Sequence, residues 1–432
     1  MKSTIIILFS LLIKSSFGVD YSFGPSPRSS DFHKMFNDSG IHKMSLLRQK
    51  TEWFKFHPLH YSTRAARSAA DSTFENNAAL NSSELTRAAE SMSRHNFKVA
   101  IETSLGLGSF ITCDSESTVE AAAQAAADYE IEMLNRLESA LEAEDKHVER
   151  IYIDGPFLRL LSKAVKSHSC GEGENSSGQG HSMYKSASIV NSFFQKIHEA
   201  FPLAELHLTI NIINWKQGSI NPYFGTTHYD LDQQLMNFFS IYKRQSAYTL
   251  SGFQFDAPYK VVNRTPANST SVREFIQRVN LFYQRVHNQL GSSFASNAKY
   301  SFIINTLPKE NFYKLGFLPH NYNAKSKYST VLSDAAICTK AASRSDRKSS
   351  QRTCTLNDYH YYKESIAYAD RLRNLHRDNS TIRRLANLTL DFASWHSAPK
   401  YAITGGGSYL DLFVGYRNNQ TGRVLSNVIN RP

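Results

Sequence analysis

Apolar residues recur along this chain in two alternating rhythms. Short apolar runs alternate with longer stretches in which apolar positions return every third or fourth residue. Phe97 to Glu102, Ile151 to Asp154, Leu206 to Ile213, Leu250 to Asp256 and Tyr300 to Asn305 are the short runs, and each reads as a strand. Helical patterns lie between them. Ser83 to Met92 is a short helix, and Ser117-Thr118-Val119-Glu120 has capping-box spacing, opening an alanine-rich helix to Glu144. Ala187 to Ala200 puts Ile189, Val190, Phe193, Phe194 and Ile197 on one face; Asp230 to Arg244 does the same with Leu231, Leu235, Phe238, Phe239 and Tyr242. Thr270 to Leu290 is the most regular helix, and Gly291 stops it.

Repeated strand–helix alternation, with strands that read as continuous apolar runs, predicts parallel pairing with helices outside. Beyond Asn305 the pattern blurs. A polar insertion spans 320–357, Tyr361 to Leu375 reads as helix, and Leu388 to Phe392 as a late strand. Leu410 to Val414 is a short apolar stretch after Gly405-Gly406-Gly407. The expected fold is α/β: a single (β/α)8 TIM-type barrel over residues 68–432, with polar insertions near 164–183 and 320–357. An open, doubly wound α/β sheet is the alternative. Against it, Leu105-Gly106-Leu107-Gly108 follows the first run without the later glycine of a phosphate-binding turn.

The start of the chain sets the compartment. Lys2, the apolar run Ile5 to Ile13 and the small residues Ser16 and Gly18 have the layout of a signal peptide over residues 1–18. The run is short of the about 20 residues that span a bilayer, and neither a transmembrane segment nor a lipid anchor is expected. Sequons at Asn37, Asn81, Asn175, Asn263, Asn268, Asn379, Asn387 and Asn419 agree with a secreted, extracellular glycoprotein. In an oxidising space Cys113, Cys170, Cys338 and Cys354 read as two disulfides. Cys338 and Cys354 bracket one loop and are the favoured pair, which leaves Cys113 for Cys170. Residues 19–67 look polar and aperiodic apart from the aromatic knot Trp53-Phe54-Lys55-Phe56. They end in Arg64-Ala65-Ala66-Arg67, so they read as a pro-segment processed after Arg67, or as an N-terminal extension.

Charge narrows the partners. A formal net charge of +11 favours anionic ones, and outside a cell that means anionic glycan rather than nucleic acid. The Cys338–Cys354 segment, with Lys340, Arg344, Arg347, Lys348 and Arg352, is a basic loop that suits such a ligand. Oligomeric state leaves no mark in the sequence.

In a barrel, chemistry sits at the C-terminal ends of the strands. Those ends here carry Glu102, Asp154, Asn211, Asn214 with Trp215, Asp256, Asn305, and Asp391 followed by Trp395 and His396. Glycoside hydrolysis needs two carboxyl groups across the scissile bond, one kept protonated and one ionised. Asp154 and Asp256 are the leading pair, because Gly155-Pro156 and Ala257-Pro258 follow them as rigid turns; Glu102 is the third candidate. Trp215 and Trp395 offer indole faces for a sugar ring, and Tyr259, Asn211, Asn214, Asn305 and His396 offer hydrogen bonds to its hydroxyls. No HxH or HxxE spacing supports a metal, no G-x-S-x-G elbow is present, and no cofactor is expected. The expectation is a secreted hydrolase of glycosidic bonds, with an anionic polysaccharide as a candidate substrate. The alternative is a non-catalytic, glycan-binding or interaction protein on the same scaffold.

Overall fold

The computed structural model of the chain describes residues 19–26, 29, 31–62, 79–103, 106–107, 118–157, 183–212, 219–220, 228–229, 231–257, 259–264, 266, 268–304, 356–393, 402–403 and 409–420. Eight parallel strands close on themselves: β1 (Asp20–Gly24), β2 (Trp53–Phe56), β3 (Lys98–Thr103), β4 (Val148–Asp154), β5 (Glu205–Asn211), β6 (Leu250–Asp256), β7 (Lys299–Ile303) and β8 (Leu388–Ala393). Each pairs with the next in the chain, and β8 returns to β1 over the full length of that strand. The principal helices follow in step: α1 (Asp38–Arg48), α2 (Ser82–Arg94), α3 (Val119–Glu142), α4 (Met183–Ala200), α5 (Leu231–Gln245), α6 (Thr270–Leu290), α7 (Leu356–Asp378) and α8 (Tyr409–Gln420). The fold is therefore the expected (β/α)8 barrel, and the open sheet is excluded by the β1–β8 pairing. No helix among the described residues is long and apolar enough to cross a membrane.

One boundary is corrected. The barrel begins at Asp20, not beyond residue 67, because the supposed extension supplies β1, α1 and β2. These two strands are only five and four residues long, too short to show a period among polar neighbours. The knot Trp53-Phe54-Lys55-Phe56 is β2 itself. Arg67 lies outside the described residues. At the other end, Leu410 to Val414 belongs to α8, where Phe413 packs edge-on against Phe392 at 5.1 Å and meets Phe23 at 5.4 Å.

The strands also differ from the continuous apolar runs expected of them. One face of each is apolar and meets the helices: Phe54 and Phe56, Val99 and Ile101, Ile151 and Ile153, Leu206 and Leu208, Phe253 and Phe255, Leu390 and Phe392 all join one large cluster. Among the described residues, the apolar cluster inside the barrel is Trp53, Ala100 and Tyr152. Both faces are buried, which is why the runs look uniform, but the inward positions are largely polar. Between strands and helices the layer is aromatic: Phe282 of α6 meets Phe253 at 5.0 Å and Phe255 at 5.2 Å, both edge-on.

Helix starts follow their caps. Asn81 and Glu84 form a reciprocal box on α2, with the Glu84 N–H donating to Asn81 Oδ1 (2.9 Å) and the Asn81 N–H to Glu84 Oε2 (2.8 Å). On α3 the cap is Thr118, one residue later than the Ser117 spacing implied, with Oγ1 accepting from the Ala121 N–H at 3.0 Å. Gly252 marks a tight spot in β6. A Cβ there would stand 2.1 Å from the Lys299 carbonyl oxygen and 2.8 Å from His207 Cε1.

Because β1 and β2 complete the barrel, a chain lacking residues 1–67 should lose cooperative unfolding. Near-ultraviolet circular dichroism and a thermal melt of the 68–432 fragment check this; a sharp transition would contradict it.

Candidate active site

Strand alternation sends one set of side chains into the lumen: Lys55, Glu102, Arg150, Tyr152, His207, Thr209, Gln254 and Asp391 among them. Some of their contacts, Lys55 with Asp391 and Gln254 with Asp391 among them, join strands that are not neighbours, which is possible only across the barrel axis. They stack in tiers from the N-terminal end of the barrel to the C-terminal mouth.

The lowest tier is built on Glu205. Arg150 donates to its Oε2 from Nε at 2.9 Å and from a terminal nitrogen at 2.8 Å, and Lys299 pairs with its other oxygen. The Arg150 guanidinium lies 3.9 Å above the Trp53 ring. Burial pushes the Glu205 carboxyl up, but His207, Arg150 and Lys299 outweigh it and hold the group well below the usual carboxylate range. Tyr152 links this tier to the next. Its hydroxyl accepts from Arg150 at 3.2 Å, and the Lys55 Nζ sits 4.6 Å from its ring centre.

The middle tier is a buried ion-pair network. Lys55 Nζ lies 2.7 Å from Glu102 Oε2 and 2.8 Å from Asp391 Oδ2, with all three side chains essentially sealed from solvent. Gln254 Nε2 donates to the same Asp391 oxygen at 2.8 Å, and Thr209 Oγ1 donates to Gln254 Oε1 at 3.0 Å. Burial opposes the charge on Lys55, yet Asp391 and Glu102 overcome it and keep the ammonium protonated far above neutral pH.

Asp154 and Asp256 stand at the mouth, on the last residues of β4 and β6. Register sets Asp154 beside Thr209 and Asp256 beside Asn211, so β5 separates the two acids. Both are half-buried. Burial pushes Asp256 up to about 7, helped by the charges of Asp154 and Glu102 and opposed by Lys55. Glu102 is also raised, first by burial and then by Asp154 and Asp391, against the pull of Lys55. The turns after these strands are held. Gly155, at φ +50, donates its N–H to the Thr209 carbonyl (3.3 Å). The buried hydroxyl of Tyr368, on α7, donates to the Ala257 carbonyl at 2.8 Å. After β3, Glu130 of α3 accepts from the Gly106 N–H at 2.7 Å and from the Thr103 hydroxyl, tying that loop to the barrel.

Two histidines follow β2 at the same end. The His57 N–H donates to His60 Nδ1 at 3.1 Å, and the His60 ring stacks on Phe32 at 3.7 Å. Burial lowers His60 to about 3 and His57 well below its ordinary value, with His60 and Lys55 adding to the effect on His57. Both rings are neutral at neutral pH.

Of the residues singled out by sequence, Glu102, Asp154, Asn211 and Asp256 come together at or beneath the mouth. Glu102 and Asp391, which the sequence also singled out, share the Lys55 ammonium. Tyr259 sits in a short helix (Tyr259–Val262) just past Asp256, where its hydroxyl accepts from Asn263 Nδ2 at 3.0 Å and its ring meets Tyr368 edge-on at 6.3 Å. Asn214, Trp215, Asn305, Trp395, His396, the four cysteines and Asn175 lie outside the described residues. Among the sequons, Asn81, Asn268 and Asn387 are exposed, Asn37, Asn263 and Asn379 are half-buried, and Asn419 falls in α8. Sequence reasoning missed Lys55, Gln254, Thr209 and Tyr368. The alternation in LHLTIN and SGFQFD signalled the inward Thr209 and Gln254; Lys55 is the only charge in its aromatic run. Nothing in the sequence marked Tyr368. Among the described residues, three metal-ligand groups converge at Glu138, Glu142 and His147, just before β4 and so at the opposite end of that strand from Asp154.

Fold and site together define a (β/α)8 barrel with a charged lumen and an acidic C-terminal mouth. No family model matches the chain, and no curated protein matches it. Solved structures similar to it include a GH10 endoxylanase retrieved from a sugarcane soil metagenome, with a TM-score of 0.44 and 7% identity over 92% of this chain and 96% of that one. Two others are a fungal β-1,4-galactanase (0.40, 10%, 95% and 96%) and an endo-β-1,4-mannanase of Cellulomonas fimi (0.41, 8%, 96% and 75%). Likenesses this weak say nothing of the chain's chemistry.

Removing Lys55 leaves two carboxyls buried without a cation, so Lys55→Met should cost about 3–5 kcal/mol, read as a lower midpoint in urea unfolding. Acid should act through the buried histidines. His207 is lowered to about 3, by burial and then Arg150, from 6.5 for the free side chain; His60 behaves alike. The unfolded chain therefore binds protons that the folded one refuses. The stability from each neutral ring is complete above pH 6.5 and drains away as pH falls towards 3, by up to about 1.4 kcal/mol per pH unit. His207→Gln should flatten the fall of the urea midpoint across that window by one proton's worth.

Proposed function

We propose that the chain is a secreted glycoside hydrolase in which Asp256 is the general acid and Asp154 the base or nucleophile. The observation that carries this reading is Asp256, a strand-end carboxyl at the mouth. Burial, with Asp154 and Glu102 near by, pushes it to about 7, so a large share keeps its proton at neutral pH. A carboxyl in that state can protonate a leaving glycosidic oxygen. Asp154 supplies the second group that such hydrolysis needs. Glu102, locked to Lys55, serves to raise Asp256 and to hold the lumen rigid, and does not touch the sugar. The apolar N-terminal run, the sequons and the even cysteine count support delivery to an oxidising, extracellular space.

A panel of oligosaccharides incubated with the full chain tests the activity. Asp256→Asn and Asp154→Asn should each lower kcat by about 100-fold or more with folding intact by circular dichroism. The wild-type kcat/KM should decline as pH rises through about 7, since Asp256 acts only while protonated. Turnover undiminished in both variants would refute the assignment. The formal charge of +11 favours a second reading, a glycan-binding protein without catalysis, for which the same panel would show retention and no cleavage.

A further inference from the structure

We propose that Tyr368 is a positioning residue for Asp256: its buried hydroxyl, on α7, pins the end of β6 and so fixes where the acid stands. Its effect on turnover rests on the hydrolase reading of the mouth; the contact does not. Asp256 is the last residue of β6. On the β5 side the ladder reaches it, opposite Asn211. On the β7 side the register runs from Gly252 to Phe255 and stops one residue short of it. Tyr368 supplies a hold beyond that point, from the helix that follows β7: its hydroxyl donates to the Ala257 carbonyl at 2.8 Å. Pro258 comes next in the chain, and a proline disfavours the helical region for the residue before it. Ala257 is thus restrained by its neighbour and by a tertiary hydrogen bond, one residue beyond the carboxyl.

The hold is firm at its other end. Tyr368 is fully buried, and Ala369 and Leu372 on the same helix join the main apolar cluster. Its ring meets Tyr259 edge-on at 6.3 Å, and the Tyr259 hydroxyl accepts from Asn263 Nδ2, so the short helix after Asp256 packs on the same residue. Burial, and after it the charge of Asp256, push the Tyr368 hydroxyl well above its ordinary range. It therefore keeps its proton, and the bond, throughout the range in which Asp256 titrates. A general acid works only within hydrogen-bond reach of the oxygen it protonates, and a misplacement of about 1 Å can cost on the order of 100-fold in rate. The pinned carbonyl guards that position. Without the pin, water reaches the Asp256 carboxyl and its proton affinity falls towards the ordinary range.

Nuclear magnetic resonance titration of Asp256 in the full chain tests this, with aspartate labelled at the carboxyl carbon and the Asp256 signal assigned by its loss in Asp256→Asn. Tyr368→Phe removes only the hydroxyl. Tyr300→Phe is the control: that buried tyrosine of β7 donates to the Ala295 carbonyl at 3.1 Å, in the short helix before the strand and hence at the opposite end of the barrel. Tyr368→Phe should lower the Asp256 midpoint by about half a pH unit or more, roughly threefold in proton affinity, while Tyr300→Phe leaves it in place. On any sugar the chain cleaves, Tyr368→Phe should lower kcat about tenfold with KM nearly unchanged, and move the fall of kcat/KM to lower pH. A midpoint unmoved or raised, an equal shift in both variants, or unfolding of Tyr368→Phe alone overturns the inference. Cleavage of no sugar sinks the hydrolase reading alone, because the titration still decides whether Tyr368 positions Asp256.

Discussion

Lys55 is joined to Glu102 on one side and Asp391 on the other, and that contact crosses the middle of the barrel. A lysine sealed from water is costly unless its charge is met, and here it is met twice. The arrangement ties β2 to β3 and β8, while Gln254 and Thr209 extend it to β6 and β5. Five of the eight strands therefore meet in one hydrogen-bonded tier. Apolar side chains would fill the same lumen without that cost, so the network fixes which strands face one another more than it adds net stability.

The same tier sets the chemistry above it. Lys55 lowers both Glu102 and Asp256, while burial and the mutual repulsion of the acids raise them, and for both groups the raising forces prevail. Asp256 ends near neutrality because burial, with the charges of Asp154 and Glu102, outweighs the pull of Lys55. A cation directly beneath Asp256 would have returned it to the ordinary carboxylate range. Scaffold and site are then one object, in which the cation that closes the barrel also decides how acidic its mouth is.

The barrel was legible from the chain because its outer layer obeys simple periods. Phe275, Val279, Phe282 and Val286 mark the buried face of α6, and the strand ends at Asp154 and Asp256 fall where the apolar runs stop. Two things hid. The first strands were too short to show a rhythm, and β1 is defined by what it pairs with, β8, more than 360 residues later in the chain. The polar lumen was visible as alternation in LHLTIN and LTLDF but was masked by burial on both faces, where an apolar run and an alternating one look much alike. Tyr368 has no local signal. Its role arises only when α7 packs over the turn after β6.

Charge composition says little about the lumen for a related reason. A sum of +11 over the chain is an average over surfaces, and the lumen departs from it in both directions: cationic around Glu205 at the bottom, acidic above Lys55. Desolvation, not the sum, governs what a buried group feels, since fields from the outer surface are screened over about 8 Å of water at physiological salt while those inside the barrel are screened much less. The acids at the mouth answer to each other and to Lys55.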